Sequence, residues 1–281
     1  MSGRAPQGLL RPVGLWSALR LRRRLDRIVQ GRRLLVVGAR RAGNHAVVAW
    51  LANALAGEAV VLSYPDWRAG AAPGARVLHC NDVPKVPGSL RHRDLDRAVR
   101  SLVGVGSVGD LVVSYEDTAI ATLGAPILLG HDVDARILVT RPLLDLVASR
   151  LARVRGATTP LDRTMFACTQ AWLDVEVANR AGLPADWIEV AFDRWLVDPE
   201  HRRTVLDRLG LAVDVAPERL APLGGGSSFA GAERLPDAAE LNDRRHRIDW
   251  DPDTVGLLLD PRTRPLLRDD EVAFLEGRRS G

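Results

Sequence analysis

Leu34-Leu35-Val36-Val37 is a short apolar run that stops at Gly38. Such a run, bounded by a turn residue, reads as a buried strand. Residues 46–56, Ala46 to Ala56, are rich in good helix formers and read as a helix. The alternation recurs along the chain. Strands are predicted at 59–62, 76–80, 110–115, 136–140 and 187–192, with helical stretches between several of them, notably 143–154 and 162–181. This order predicts an α/β fold: a mainly parallel sheet flanked by helices on both faces. Residues 65–75 and 84–89 are rich in proline and glycine and read as loops. Residues 221–243 are Gly/Ser-rich and then polar, and read as a long ordered loop or lid. No internal repeat is visible.

Residues 1–32 stand apart as a basic leader. Leu15, Trp16, Leu19, Leu21, Leu25, Ile28 and Val29 recur at roughly helical spacing, and Arg20, Arg22, Arg23, Arg24 and Arg27 fill the gaps. The segment reads as an N-terminal helix laid on its own domain. Peripheral contact with a membrane surface is the alternative. Residues 33–281 then form a single α/β domain, an ordinary size for one unit.

Composition narrows the classes. The chain has 281 residues, 46% of them hydrophobic and 26% charged, which suits a globular core. No apolar run approaches the roughly 18 residues of a membrane span. The N-terminus lacks the apolar stretch and small-residue cleavage site of a secretory signal. Two cysteines, Cys80 and Cys168, do not make a disulfide framework, so a cytoplasmic location is the expectation. Aromatic content is 5% and no nucleic-acid module is recognisable, so nucleic acid is not an expected partner. The net charge is +4, and Lys85 is the only lysine. A phosphate site in this chain therefore relies on guanidinium forks and backbone amides.

Two stretches carry chemistry. In the first, Gly38-Ala39-Arg40-Arg41-Ala42-Gly43-Asn44-His45 joins the first strand to the first helix. Backbone amides at a helix start lack partners and carry partial positive charge, which suits an anion. The Gly-x4-Gly spacing matches the opening of a Walker A loop. The Lys and Ser/Thr that a Mg·ATP enzyme needs next are replaced by Asn44 and His45, and the cation stands earlier, at Arg41. No metal is expected. In the second stretch, Arg136 to Arg150, a strand runs into a helix. Arg141 stands at the strand's end and Ser149 about two helical turns further on, a pair suited to gripping one phosphate. A purely structural reading stands beside this one: Arg141 pairs with Asp145 at the helix start, and Ser149 is an ordinary helix residue.

Together these stretches resemble the sulfotransferase family that uses 3′-phosphoadenosine-5′-phosphosulfate (PAPS). Arg40-Arg41-Ala42-Gly43-Asn44-His45 is similar to that family's P-loop-like signature. Thr140-Arg141-Pro142 with Ser149-Arg150 is similar to its second signature, one residue shorter between Arg and Pro. Phe192-Asp193 through Asp198-Pro199-Glu200 to Leu209-Gly210-Leu211, and Ser227-Ser228-Phe229, resemble two further family stretches. The resemblance covers roughly residues 33–250.

The resemblance implies a PAPS-dependent sulfotransferase with 3′,5′-adenosine bisphosphate as product. Arg40, Arg41, Ala42, Gly43, Asn44 and His45 would hold the 5′-phosphosulfate, Arg41 also acting on the departing oxygen. Arg141 and Ser149 would hold the 3′-phosphate, and Ser228 and Phe229 would flank the adenine. His79, after the P-loop helix, and Glu116, at the end of the strand Leu111 to Tyr115, are the candidate bases. An alternative alignment places Asn81 at the family's histidine position. The family's late arginine has no clean counterpart, and Arg244, Arg245 and Arg247 are the substitutes. The acceptor, a small molecule, glycan or lipid, is not readable. A P-loop small-molecule kinase and a non-catalytic nucleotide-binding scaffold are the rival readings.

Overall fold

The computed structural model describes residues 27, 29–56, 60–63, 76–81, 110–117, 119–122, 133–212 and 244–279. Most of the basic leader, the loop 221–243, Ser228, Phe229 and Trp67 lie outside them. The strands are β1 (Arg33–Gly38), β2 (Val60–Ser63), β3 (Arg76–Asn81), β4 (Leu111–Glu116), β5 (Ala135–Thr140) and β6 (Trp187–Ala191). They pair in the order β2-β3-β4-β1-β5-β6, and every pairing is parallel. The expected α/β architecture is therefore present. The apolar stretches Leu34–Val37 and Leu111–Val113 are wholly buried, as befits a parallel sheet covered on both faces.

The helices are α1 (Asn44–Ala56), α2 (Leu143–Arg155), α3 (Pro160–Phe166), α4 (Gln170–Ala181), α5 (Phe192–Val197), α6 (Pro199–Leu209), α7 (Pro252–Leu258) and α8 (Asp269–Arg279). The single helical stretch expected at 162–181 is corrected to α3 and α4. Thr169 stops the run: its backbone is extended, and its hydroxyl accepts from the amide of Trp172. That is the geometry of an N-cap. Trp172, Trp187 and Trp195 are buried.

The stretch Asp198-Pro199-Glu200 to Leu209-Gly210-Leu211 is one helix with both ends capped. Asp198 accepts from the amides of Glu200 and His201. Gly210 turns left-handed with φ 63°, and Leu211 N–H closes back on the Leu206 carbonyl. Arg32 donates to the carbonyls of Leu209 and Gly210, tying the entry of β1 to that helix end.

The sheet order creates a switch point. From β1 the chain crosses to the β2 side of the sheet, and from its neighbour β5 it leaves toward β6. Adjacent strands whose connections depart in opposite directions leave a crevice at their carboxyl ends, where open α/β sheets bind ligands. Among the described residues no helix is long and apolar enough to cross a membrane.

Candidate anion site

The loop after β1 is held in a strained, tight shape. Arg41 has φ 76° and Gly43 φ 105°. A Cβ on Gly43 would meet the Phe192 ring at 2.1 Å, so glycine is required there for both angle and space. The Ala42 amide donates to the Ala39 carbonyl. This withdraws Ala42 from the anion-binding role expected for it, because its N–H already closes a turn. The amides of Gly43, Asn44 and His45 open the helix, where intrahelical acceptors are lacking.

Side chains on the β4 side of the loop turn into the protein. Asn44 is buried and its Nδ2 donates to the Ala39 carbonyl at 3.0 Å and to Glu116 Oε1 at 3.2 Å. Arg40 is buried with Nε 3.5 Å from Glu116 Oε2 and Nη1 3.6 Å from Asp117 Oδ2. These contacts turn the side chains of Arg40 and Asn44 into the protein, where both brace the loop from behind, and leave only the Asn44 backbone amide at the helix start for a ligand. His45 lies with Nε2 3.5 Å from Glu116 Oε1.

Sequence reasoning passed over Asp117. It follows β4 with φ 53° and gathers three elements at once. Its Oδ1 accepts from the Arg40 amide at 2.9 Å, from Arg150 Nη1 at 3.1 Å and from Trp172 Nε1 at 3.0 Å. Its own amide donates to the Gly38 carbonyl. The Arg150 guanidinium also sits 4.2 Å from the centre of the Trp172 ring. The one available signal was an acidic pair directly after an apolar strand.

The β5 side is built differently. Arg141 follows β5 and is only 3% exposed. Its Nη1 donates to the Arg41 carbonyl at 3.2 Å, and its guanidinium stands 5.6 Å from the centre of the Phe192 ring. Arg41 in turn donates through Nε to Ser149 Oγ at 3.3 Å. The loop arginine and the α2 serine, given separate duties by the sequence reading, thus meet in one place. The Arg141–Asp145 pair of the purely structural reading gives way to Asp193, whose Oδ1 is the nearer carboxylate oxygen at 3.7 Å from Nε. Arg141 Nε and Nη2 make no hydrogen bond among the described residues.

Arg244 completes the group. It opens a 3-10 turn (Arg244–Arg247) that packs on α2. Of the three late arginines it alone is buried: Arg245 pairs with Asp270 at 2.8 Å and Arg247 is exposed. Burial and the nearby charge of Arg141 push Arg244 down to about 9 and Arg41 down to about 10. Burial lowers Arg141 as well, opposed by Asp193 and Asp145. Burial pushes the Asp145 carboxyl up to about 6 against the pull of Arg141, and Asp193 and Glu271 add to the rise. Three guanidiniums repelling one another in a dry setting form a ready cradle for a multivalent anion.

The candidate bases fall on the other side. Glu116 is level with Gly38 on β1 and with Asn81 on β3. His79 pairs with Ser114, two residues upstream of that rung, or about 6.6 Å along the strand. Both oxygens of Glu116 are engaged, Oε1 by Asn44 and His45 and Oε2 by Arg40.

Compared with known families and curated proteins, the chain matches no family model and no curated sequence. What fold and site define is an α/β protein with an all-parallel sheet and an arginine cluster at its switch point.

Proposed function

We propose that this chain is a sulfotransferase that binds PAPS at the carboxyl ends of β1 and β5. The observation that carries the reading is Arg141, a buried guanidinium at the switch point with two nitrogens, Nε and Nη2, that make no hydrogen bond among the described residues. Buried polar groups are nearly always paired, and an exception at the carboxyl end of a parallel strand, where open α/β sheets bind ligands, supports a ligand-binding role. The surrounding groups fit a nucleotide carrying phosphates at both ends. Arg141, Ser149 and Arg244 bind the 3′-phosphate, and the amides of Gly43 to His45 with Arg41 bind the 5′ side. PAPS supplies the sulfuryl group, and Arg41 stabilises charge at the departing oxygen, a contribution of about 10²–10³ in rate for one preorganised donor.

The acceptor's proton is taken on the β3–β4 rim. There His45 is oriented by Glu116, and His79 stands further back along β3. A panel of His45→Asn, His79→Asn and Glu116→Gln identifies the base by a loss of roughly 10²–10⁴ in turnover.

The test is calorimetric titration without added metal, using 3′,5′-adenosine bisphosphate, with adenosine 5′-phosphate and ATP as controls. Preferential binding of the bisphosphate, lost in Arg141→Ala, supports the reading. Failure to bind it overturns the reading and returns the kinase and the non-catalytic scaffold, and preference for Mg·ATP favours the kinase.

A further inference from the structure

Five buried polar atoms at Arg141 and its charged neighbours make no hydrogen bond among the described residues. They are Nε and Nη2 of Arg141 itself, Nε of Arg244, Oδ1 of Asp145 and Oδ1 of Asp193. The three donors are explained by an anion. The two acceptors are not, because an acceptor beside a bound phosphate is repelled by it. Asp145 sharpens the point. It is 3% exposed, in the first turn of α2, one helical turn beyond Arg141.

The groups facing Asp145 come from four elements. Arg141 lies at the end of β5, Arg244 on the 3-10 turn, Asp193 on α5, and Arg268 with Glu271 at the start of α8. Glu271 is already engaged by the amide and guanidinium of Arg268. Asp193 leans on Arg141 Nε. Asp145 Oδ1 alone is left both unbonded and without a cation inside ion-pair distance among the described contacts.

We infer that Asp145 belongs to the phosphate site, and that the site takes a phosphate monoester together with one proton held between Asp145 Oδ1 and a phosphate oxygen. The inference rests on the phosphate-binding role proposed above. Its chemistry is that of two like charges in one dry place: they cannot both stay ionised, so a proton enters with the ligand. A phosphate monoester suits this arrangement because its second ionisation lies near 6, close to that of the carboxyl it meets. The proton turns a repulsion into a hydrogen bond and uses the orphaned oxygen. One proton from solvent enters with the phosphate dianion, so the charge of the site falls by one unit rather than two.

Calorimetry of the full chain with 3′,5′-adenosine bisphosphate, in two buffers of different ionisation enthalpy, reads this directly. At pH 7 the wild type is expected to take up roughly 0.8 proton per site, from groups that ionise near 6. Affinity is expected to weaken by up to about tenfold per pH unit above 7. Asp145→Asn removes the uptake and flattens that slope, whereas Asp193→Asn keeps both. Zero uptake in the wild type overturns the inference without any variant, and so does equal uptake in Asp145→Asn. Inorganic phosphate, titrated alongside, separates the two proposals. If phosphate binds with Asp145-dependent uptake and the bisphosphate does not bind, the PAPS reading fails and Asp145 stands. If neither binds, both fail.

Discussion

Arg40 and Arg41 are neighbours in one loop and have opposite surroundings. Arg40 enters a network in which buried cations meet carboxylates: Glu116 and Asp117 receive Arg40, Asn44, His45, Arg150 and Trp172. Arg41 enters a cluster in which cations face cations, with Arg141 and Arg244, and where Arg141 keeps unsatisfied donors. The first region closes on itself and holds the loop's shape. The second concentrates positive charge at the switch point, offset in part by Asp193 and Asp145. Arginine content therefore does not locate a binding site; charge matching does.

The largest expected effect breaks the closed side. Asp117→Ala leaves the buried Arg150 and Arg40 without their shared carboxylate and should destabilise the chain by about 3–5 kcal/mol, read by urea denaturation. On the open side, Arg141→Ala relieves repulsion from Arg41 and Arg244 but loses the Arg41 carbonyl and Asp193 contacts, so its stability cost should be smaller than that of Asp117→Ala. It should weaken bisphosphate binding by about 3 kcal/mol or more, roughly a hundredfold. That opposite pairing of stability and affinity is what the comparison demands.

Gly43→Ala strikes the hinge between the two regions. The strained angle and the overlap with Phe192 should cost about 1–3 kcal/mol of stability, and the displaced loop should lose bisphosphate affinity as well. A smaller effect follows from Asp145. Its folded value of about 6 exceeds the ordinary 3.8, so the folded chain keeps a proton that the unfolded chain has released. This contribution favours folding as pH falls through about 6 to 4 and is lost as pH rises through the same window. Denaturation of wild type and Asp145→Asn at pH 4.5 and pH 7 should therefore show the variant gaining relative stability at pH 7. Smallest is Thr169→Ala, which removes the cap that separates α3 from α4 and should cost about 1 kcal/mol by thermal melting.

What the sequence by itself determined is the set of strands, the glycine-bounded turn after β1, the helix that follows it, and the second strand–helix junction at Arg141. Each rests on near neighbours: apolar runs, alternation periods, a proline or glycine at an end. The break at Thr169 escaped because a helical pattern on either side masks a single cap.

Tertiary structure decided which arginine does what. Arg40 meets Asp117 across 77 residues of chain and Arg41 meets Ser149 across 108, because β1 lies between β4 and β5. The same placement brought Arg244, rather than Arg245 or Arg247, beside Arg141, and set Glu116 rather than His79 level with the loop. Sequence spacing carries the periods of a strand or a helix. It does not carry the order in which strands join a sheet, and in this chain that order sets which charges come together.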